Sequence, residues 1–381
     1  MLPALDPDRL SLADVMPSSI AALTGMPNRL GLPPVRRAIV VLADGLGSAV
    51  LAARAGHART LAGMHDKRAV LQSGFPTTTA AALATLTTGT NPGRHGLVGY
   101  TVLDADNNRV VNQLTGWDDH LDPATWQRMP TVFESATSSG IQSVAVGHPR
   151  YADSGFTRAV LRGAEYRPGP TMSARCDIAV NWLRESNEPG ILYVYIPELD
   201  MAAHASGWQS EKWTHQLESL DACVRTLSEQ LGPGDGVLVT ADHGVIDVPP
   251  SSHITIDSSP ELLDGVRFVA GDPRCLQLHV EPDATESARR RLMASWRSAE
   301  SDRAWVASRA EAIAAGWFGA VDPEVEPRIG DIVVAARKAI AYYDATSASA
   351  SSMAMIGQHG SLSQEEVRVP LLRMGAFAQR R

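Results

Sequence analysis

The chain has 381 residues, with 34 lysines and arginines against 42 aspartates and glutamates, giving a formal net charge of −8. That length can bury a substantial core without disulfides, as one large domain carrying an insertion or as two domains. The charge excludes the basic footprint that a nucleic-acid backbone requires, so a nucleic-acid polymer is not an expected partner, whereas a small anion held through metal ions is compatible with it.

The first twenty residues, MLPALDPDRLSLADVMPSSI, place acidic residues and prolines where a secretory leader needs a basic start and an uninterrupted apolar run. No later stretch approaches the ~18 apolar residues of a membrane helix. Cys176, Cys223 and Cys275 are far apart, show neither CxxC nor zinc-finger spacing, and read as reduced thiols. The expectation is a soluble, cytoplasmic protein with no membrane partner.

The first apolar run, residues 38–43 (AIVVLA), reads as a buried strand and delivers Asp44 at its carboxyl end, in ADGLG. An aspartate before glycine at that place is equally a turn residue. In FPTTTAAALATLTTGTNPGRHG, Thr77, Thr78 and Thr79 stand at the mouth of an alanine-rich helix. Hydroxyls there serve as N-caps, and the same position suits an anion, because free N–H groups and the helix dipole face it. Residues 141–146 (IQSVAV) are a second strand, followed by His148 and Tyr151, which line either the mouth of a site or, as the preferred reading, a polar loop.

Residues 191–196 (ILYVYI) are a third strand. Beyond it, in YIPELDMAAHASG, Asp200 and His204 are four residues apart, so a helical turn would put both on one face within reach of one cation. A surface pair at helical spacing has the same pattern. Leu217, Leu220, Val224, Leu227 and Leu231 then alternate steps of three and four, the stripe of an amphipathic helix, which Gly232, Pro233 and Gly234 stop. Residues 236–240 (GVLVT) form the fourth strand, with Asp242 and His243 side by side where the backbone turns out of it.

Short apolar runs alternating with helices predict an α/β protein on a largely parallel sheet, whose ligands collect at the carboxyl ends of the strands. From about residue 248 to 345 the pattern changes. Residues 266–270 and 275–280 flank a GDPR turn and predict a hairpin, and 331–336 predict another strand. Between them a helix is expected over 283–297, with Asp283 and Glu286 at capping-box spacing and Arg289, Arg290 and Arg291 on its solvated face. This is the profile of a small α+β insertion. The expected division is therefore a catalytic core of residues 1–247 and 346–381 with a cap of 248–345. A serine-rich joint, SASASS at 347–352, reads as flexible and leads into IGQHG, which carries His359.

Each signal is modest alone. Together three aspartates, three histidines and one threonine hydroxyl make an oxygen and nitrogen donor set suited to zinc. Chance does not readily give the order D…PTTT…DxxxH…DHG…HG with strands ahead of three of its members. That order resembles the alkaline phosphatase superfamily and, within it, the nucleotide pyrophosphatase/phosphodiesterase family, with phosphonoacetate hydrolases as close relatives.

The resemblance spans residues 44–359 and implies an alkaline phosphatase-like α/β fold, a largely parallel central sheet flanked by helices with a small α+β cap. The family's P-T-x-T segment falls on Pro76, Thr77, Thr78 and Thr79, which makes Thr79 the nucleophile. The downstream T-G…P…H-G falls on Thr88, Gly89, Pro92, His95 and Gly96, with His95 structural. By the same resemblance Asp200, His204 and His359 hold one zinc, and Asp44, Asp242, His243 and the Thr79 oxygen hold the other, with manganese or iron as alternatives.

Two positions depart from the family. Tyr100 stands where an asparagine usually contacts a phosphoryl oxygen, and Ala80 where an aromatic residue often follows the nucleophile. The implied function is two-metal hydrolysis of small phosphodiesters or nucleotide pyrophosphates through a phosphothreonine at Thr79. A phosphonate hydrolase or phosphomonoesterase with the same metal site is the alternative that Tyr100 raises. A phosphosugar or phosphoglycerate mutase is disfavoured because those relatives usually use serine, and an inactive binding protein because no ligand position is lost.

Overall fold

Runs such as AIVVLA and GVLVT have no alternating polar position, so a strand made from them must be covered on both faces. The computed structural model, which describes residues 2–66, 70–185, 188–346 and 348–378, places them at the centre of a sheet. Two six-stranded sheets are built, in chain order, from β1 (Arg37–Ala43), β2 (Thr101–Asp104), β3 (Arg109–Asn112), β4 (Gln142–Gly147), β5 (Glu165–Pro168), β6 (Gly190–Ile196), β7 (Asp235–Thr240), β8 (Val266–Asp272), β9 (Cys275–Val280), β10 (Ala304–Ser308), β11 (Ile332–Ala336) and β12 (Leu372–Gly375).

The first sheet has the order β12-β7-β1-β6-β4-β5 and is parallel except for the edge strand β12. Arg37 and Asp235, paired in register at the amino ends of β1 and β7, form a buried two-pronged ion pair (2.7 and 2.9 Å) on the side away from the carboxyl ends. The helices that matter for the site and its support are α1 (Thr79–Thr88), α2 (Met172–Glu185), α3 (Glu198–Ser206), α4 (Glu211–Ser228) and α5 (Glu286–Glu300). The stripe on α4 is buried as its spacing requires, with Trp213, Leu217, Leu220, Val224 and Leu227 turned inward.

The second sheet, β10-β11-β9-β8-β2-β3, is antiparallel throughout. The β8–β9 hairpin closes at the GDPR turn, with Asp272 opposite Cys275. The upstream hairpin β2–β3 joins the same sheet through Thr101 opposite Gly271, so residues outside 248–345 extend it.

Three local expectations are corrected. The helix expected over 283–297 is α5, capped by Thr285 rather than Asp283: Thr285 has the extended backbone an N-cap needs, and its side chain accepts from the Ala288 N–H at 3.2 Å. Ser347 lies outside the described residues. The rest of the expected flexible joint includes a helical turn, Ala350–Met353, capped by the Ser349 side chain. Finally, Cys176 and Cys223 are joined in a disulfide with 5.9 Å between their Cα atoms, and Cys275 is the buried free thiol. The pairing arises because α2 and α4 pack side by side although 47 residues separate the two cysteines. A disulfide removes the support that reduced thiols lent to a cytoplasmic location. No described helix is long and apolar enough to cross a membrane.

Candidate metal centre

β1, β6 and β7 are neighbours and parallel, so their carboxyl ends open on one edge of the sheet. Asp44 follows β1 directly, its N–H bonded to the Ile196 carbonyl at the end of β6 (2.9 Å). Past Ile196 the chain turns at Pro197 into α3, which carries Asp200 and His204 on one face. Asp242 and His243 follow β7, where Gly244 permits the turn: a Cβ on Gly244 would lie 1.9 Å from the Glu365 carbonyl oxygen. Gly45 has φ +75°, and a Cβ there would sit 3.1 Å from that of Asp200, so the two loops meet only because this residue has no side chain.

Thr78 is the N-cap of α1 by backbone conformation, but its side chain makes no capping bond. Thr77 is occupied elsewhere. Its hydroxyl donates to the Ser361 carbonyl (2.7 Å) and accepts from the Gly360 N–H (3.0 Å), tying the helix mouth to the segment that brings in His359. Thr79, the first residue of α1, keeps its hydroxyl in the cluster, 3.3 Å from Nε2 of His243.

All seven residues singled out as ligands converge. His243 Nε2 is 3.5 Å from Asp44 Oδ1 and 3.3 Å from Asp242 Oδ2. His204 Nε2 is 3.1 Å from Asp200 Oδ2 and 3.3 Å from His359 Nε2, and His359 Nε2 is 3.7 Å from Asp200 Oδ1. Two overlapping donor groups result among the described residues, Asp44–Asp242–His243 and Asp200–His243–His359, with His243 common to both and half-buried His204 at the rim.

The three imidazoles are oriented alike. Nδ1 of His204, His243 and His359 faces the carbonyl oxygens of Gly357, Gly244 and Thr77 at 2.7, 3.1 and 2.8 Å. A carbonyl only accepts, so each Nδ1 carries a proton, and in the neutral imidazole Nε2 then presents a lone pair to the cluster, the arrangement of histidines that ligate metals.

The electrostatics point the same way. Asp44 Oδ1, Asp200 Oδ1 and Asp242 Oδ2 are buried carboxylate oxygens with no hydrogen-bond donor among the described residues. Burial, then the charges of Asp242 and Asp200, push Asp44 well above the usual carboxylate range, and burial lifts Asp242 to about 6. Burial opposes ionisation of Asp200 too, yet His204, His359 and His243 hold it below its ordinary value. Burial likewise opposes charging of His204, but Asp200 raises it to about 9, while burial takes His243 down to about 4 and His359 to about 3. Crowded, unpartnered carboxylate oxygens and imidazole lone pairs aimed at one space are balanced by divalent cations, and the residues present fit them.

His95 is fully buried between the Thr85 hydroxyl (3.0 Å) and the Leu97 N–H (3.1 Å), away from the cluster. His148 caps the turn after β4, accepting from the Arg150 N–H at 3.1 Å, as a polar loop residue does. Tyr151 lines a cavity of about 690 Å³ that also reaches Thr79; Tyr100, half-buried just before β2, does not line it.

Three residues near the site went unnoticed. Tyr195 donates to Asp44 Oδ2 at 2.5 Å, and Tyr193 lines the same cavity two residues earlier on β6. Their alternation in LYVYI, which puts both on one face of a strand, was the available signal. Asp272, at the end of β8, is buried near Thr78 and the Tyr100 backbone; burial lifts it to about 7 although both those donors work against the rise. Inside GDPR it reads only as a turn residue.

The sequence matches the family model of type I phosphodiesterases / nucleotide pyrophosphatases over residues 38–362. An uncharacterised pyrophosphatase/phosphodiesterase of Schizosaccharomyces pombe is 23% identical over 194 residues, 48% of this chain and 39% of that protein. Ectonucleotide pyrophosphatase/phosphodiesterase family member 3 of Mus musculus is 26% identical over 192 residues, 48% of this chain and 21% of that protein. The matches thus span well under half the length of these relatives. Among solved structures, the murine ectonucleotide pyrophosphatase/phosphodiesterase 5, in an inactive form with AMP, superposes with a TM-score of 0.67 at 17% identity, covering 90% of this chain and 88% of that one. Phosphonoacetate hydrolase from Sinorhizobium meliloti 1021, with phosphonoacetate, gives 0.68 at 19% identity, covering 90% and 91%. At these identities the likeness establishes a shared fold.

Proposed function

Since the chain belongs to the type I phosphodiesterase / nucleotide pyrophosphatase family, we propose that it hydrolyses small phosphodiesters or nucleotide pyrophosphates, with Thr79 as nucleophile. The observation that carries this reading is the Thr79 hydroxyl at the amino end of α1, 3.3 Å from His243 in a cluster that leaves three buried carboxylate oxygens without donors. Asp200, His204 and His359 would hold one ion and Asp44, Asp242, His243 and the Thr79 oxygen a second; zinc suits this mixed nitrogen and oxygen set, with manganese or iron as alternatives. When bound, such ions lower the pKa of a coordinated hydroxyl and offset phosphoryl charge.

The chain's own groups do the rest. The Thr79 oxygen, having given up its proton, attacks phosphorus in line with the departing oxygen, forming a phosphothreonine as the P–O bond to the leaving group breaks. Water then cleaves the phosphothreonine, returning the hydroxyl and releasing phosphate or its monoester. Free N–H groups of the first turn of α1 offer donors to the phosphoryl oxygens. We take residues 1–247 and 346–381 as the catalytic core, and 248–345 as the cap that adjusts selectivity and contributes Asp272 beside Thr78.

Replacing Thr79 with alanine tests this. Turnover of bis-p-nitrophenyl phosphate by zinc-loaded protein should fall at least about a thousandfold, while zinc content by plasma mass spectrometry stays near the unmodified level. Full turnover in the variant would overturn the assignment. Tyr100, in place of an amide, favours one second reading, a phosphonate hydrolase or phosphomonoesterase at the same metals. A higher kcat/KM for p-nitrophenyl phosphate than for the diester, or release of phosphate from phosphonoacetate alone, would select it.

A further inference from the structure

We propose that the organic group esterified to the phosphorus is bulky and apolar, an alkyl or aryl chain rather than a nucleoside, and that it occupies the cavity beside Thr79. The inference rests on the phosphodiesterase reading for the headgroup and on the cavity for everything else. The cavity, about 690 Å³, is of a size that encloses a small organic molecule. Its walls are Leu83, one turn beyond Thr79 on α1, with Trp117, Phe156, Val160, Tyr193 and Tyr195. Leu83, Phe156 and Val160 are buried, so the lining is part of the folded core rather than a loose surface groove.

The hydrogen-bonding inventory decides between chain and nucleoside. Among the described residues, no Asn, Gln, Asp, Glu or Lys lines the cavity. The one charged side chain, Arg150, lies over the Tyr151 ring, 4.6 Å from its centroid, and donates to the Tyr151 hydroxyl and, at 3.4 Å, to the Met201 sulfur. Of the eight lining hydroxyls, those of Thr79, Tyr151, Ser154, Tyr166 and Tyr195 already have a partner, which leaves Thr115, Thr157 and Tyr193 among the described residues. Tyr166 donates to the His148 carbonyl (2.8 Å), Tyr195 to Asp44 (2.5 Å), and Ser154 Oγ accepts from the Thr157 N–H (3.0 Å). The Tyr193 hydroxyl is buried, with the residue 1% exposed, and has no partner among the described residues. A base edge and a ribose present several donors and acceptors, and a wall of this composition would leave most of them unpaired. An apolar chain incurs no such penalty, and one ether or carbonyl oxygen within it would satisfy Tyr193.

Calorimetric titration of the zinc-loaded protein with ethyl, butyl, hexyl and octyl phosphate and with thymidine 5′-monophosphate tests the proposal. Affinity should rise about fourfold for each methylene buried, so that hexyl phosphate binds at least about a hundredfold more tightly than ethyl phosphate. Thymidine 5′-monophosphate should stay within about tenfold of ethyl phosphate. A flat alkyl series, or the nucleotide as the tightest of the set, would overturn it. Val160→Trp, which narrows the cavity, should flatten the series; if that variant does not fold, the alkyl series on the unmodified protein still decides. Turnover of methyl and hexyl p-nitrophenyl phosphate, run in parallel, separates the two readings. Turnover with flat binding sinks the apolar-chain proposal alone, whereas chain-length-dependent binding without turnover supports it and sinks the phosphodiesterase reading.

Discussion

Asp44 and His95 show how neighbours assign opposite tasks to buried polar residues. Asp44 keeps one oxygen on the Tyr195 hydroxyl and leaves the other without a donor, which fixes the carboxylate while keeping a lone pair for the cluster. At His95 both ring nitrogens are committed: Nδ1 accepts from the Leu97 N–H, so Nε2 carries the proton toward Thr85. A second proton would have to displace the Leu97 N–H. Burial and the nearby Arg328 charge accordingly take its pKa from 6.5 down to about 3. Between those values the unfolded chain binds a proton that the folded one refuses. The His95 contribution is therefore complete above about pH 6.5 and is lost as pH falls below it. His95→Gln should make the decline of the denaturation midpoint between pH 6.5 and 4 shallower than in the unmodified protein, whatever its effect at pH 7. An unchanged slope would show that His95 does not carry it. The H-G pairing made His95 easy to find, but its neutrality is a product of Leu97 and Thr85, which sequence spacing does not reveal.

At the scale of elements, the α2–α4 pair is the feature least visible in advance. The amphipathic stripe of α4 announces a buried face, yet nothing in it says that α2 is the neighbour, and Cys176 and Cys223 look unrelated until the helices are side by side. Closing a 47-residue loop in the unfolded chain corresponds to about 4 kcal/mol in the chain-entropy account. Thiol titration in denaturant should find one reactive cysteine, Cys275, without reductant and three after reduction. The double variant Cys176→Ser/Cys223→Ser should unfold at lower denaturant by up to that free energy. Three thiols without reductant would return the protein to the reduced state expected from its sequence. The strand ends behave differently from these helices: the residues after β1, β6 and β7 stood out as candidates because ligands of open α/β sheets collect at the carboxyl ends of the strands.

For the whole molecule, the candidate metal centre is where separate parts of the chain are joined. Residues 44, 79, 200, 204, 242, 243 and 359 come from five segments, and Glu366, bonded at 2.9 and 2.7 Å to Arg274 in the β8–β9 turn, fastens the returning chain to the second sheet. Without divalent ions the buried carboxylates repel one another, and the charges of Asp242 and Asp200 add to the burial that pushes Asp44 above its usual range. Dialysis against a chelator should lower the thermal midpoint by several degrees, and readdition of zinc should restore it. Identical melting curves with and without chelator would mean that the cluster holds no ion that contributes to stability.

The α/β class, the four central strands, the stripe of α4 and the seven polar residues are readable along the chain, because each is a local pattern: an apolar run, a period of 3.6, or a donor near a strand exit or helix start. Packing in three dimensions sets which donors share a space, that His243 belongs to both groups, that Thr285 rather than Asp283 caps α5, and that two distant cysteines meet. Packing also turns Tyr193 and Tyr195 to a cavity and brings Asp272 to Thr78. These are contacts between segments far apart in the chain, set by how twisted sheets and helices pack, and no spacing along one segment encodes them.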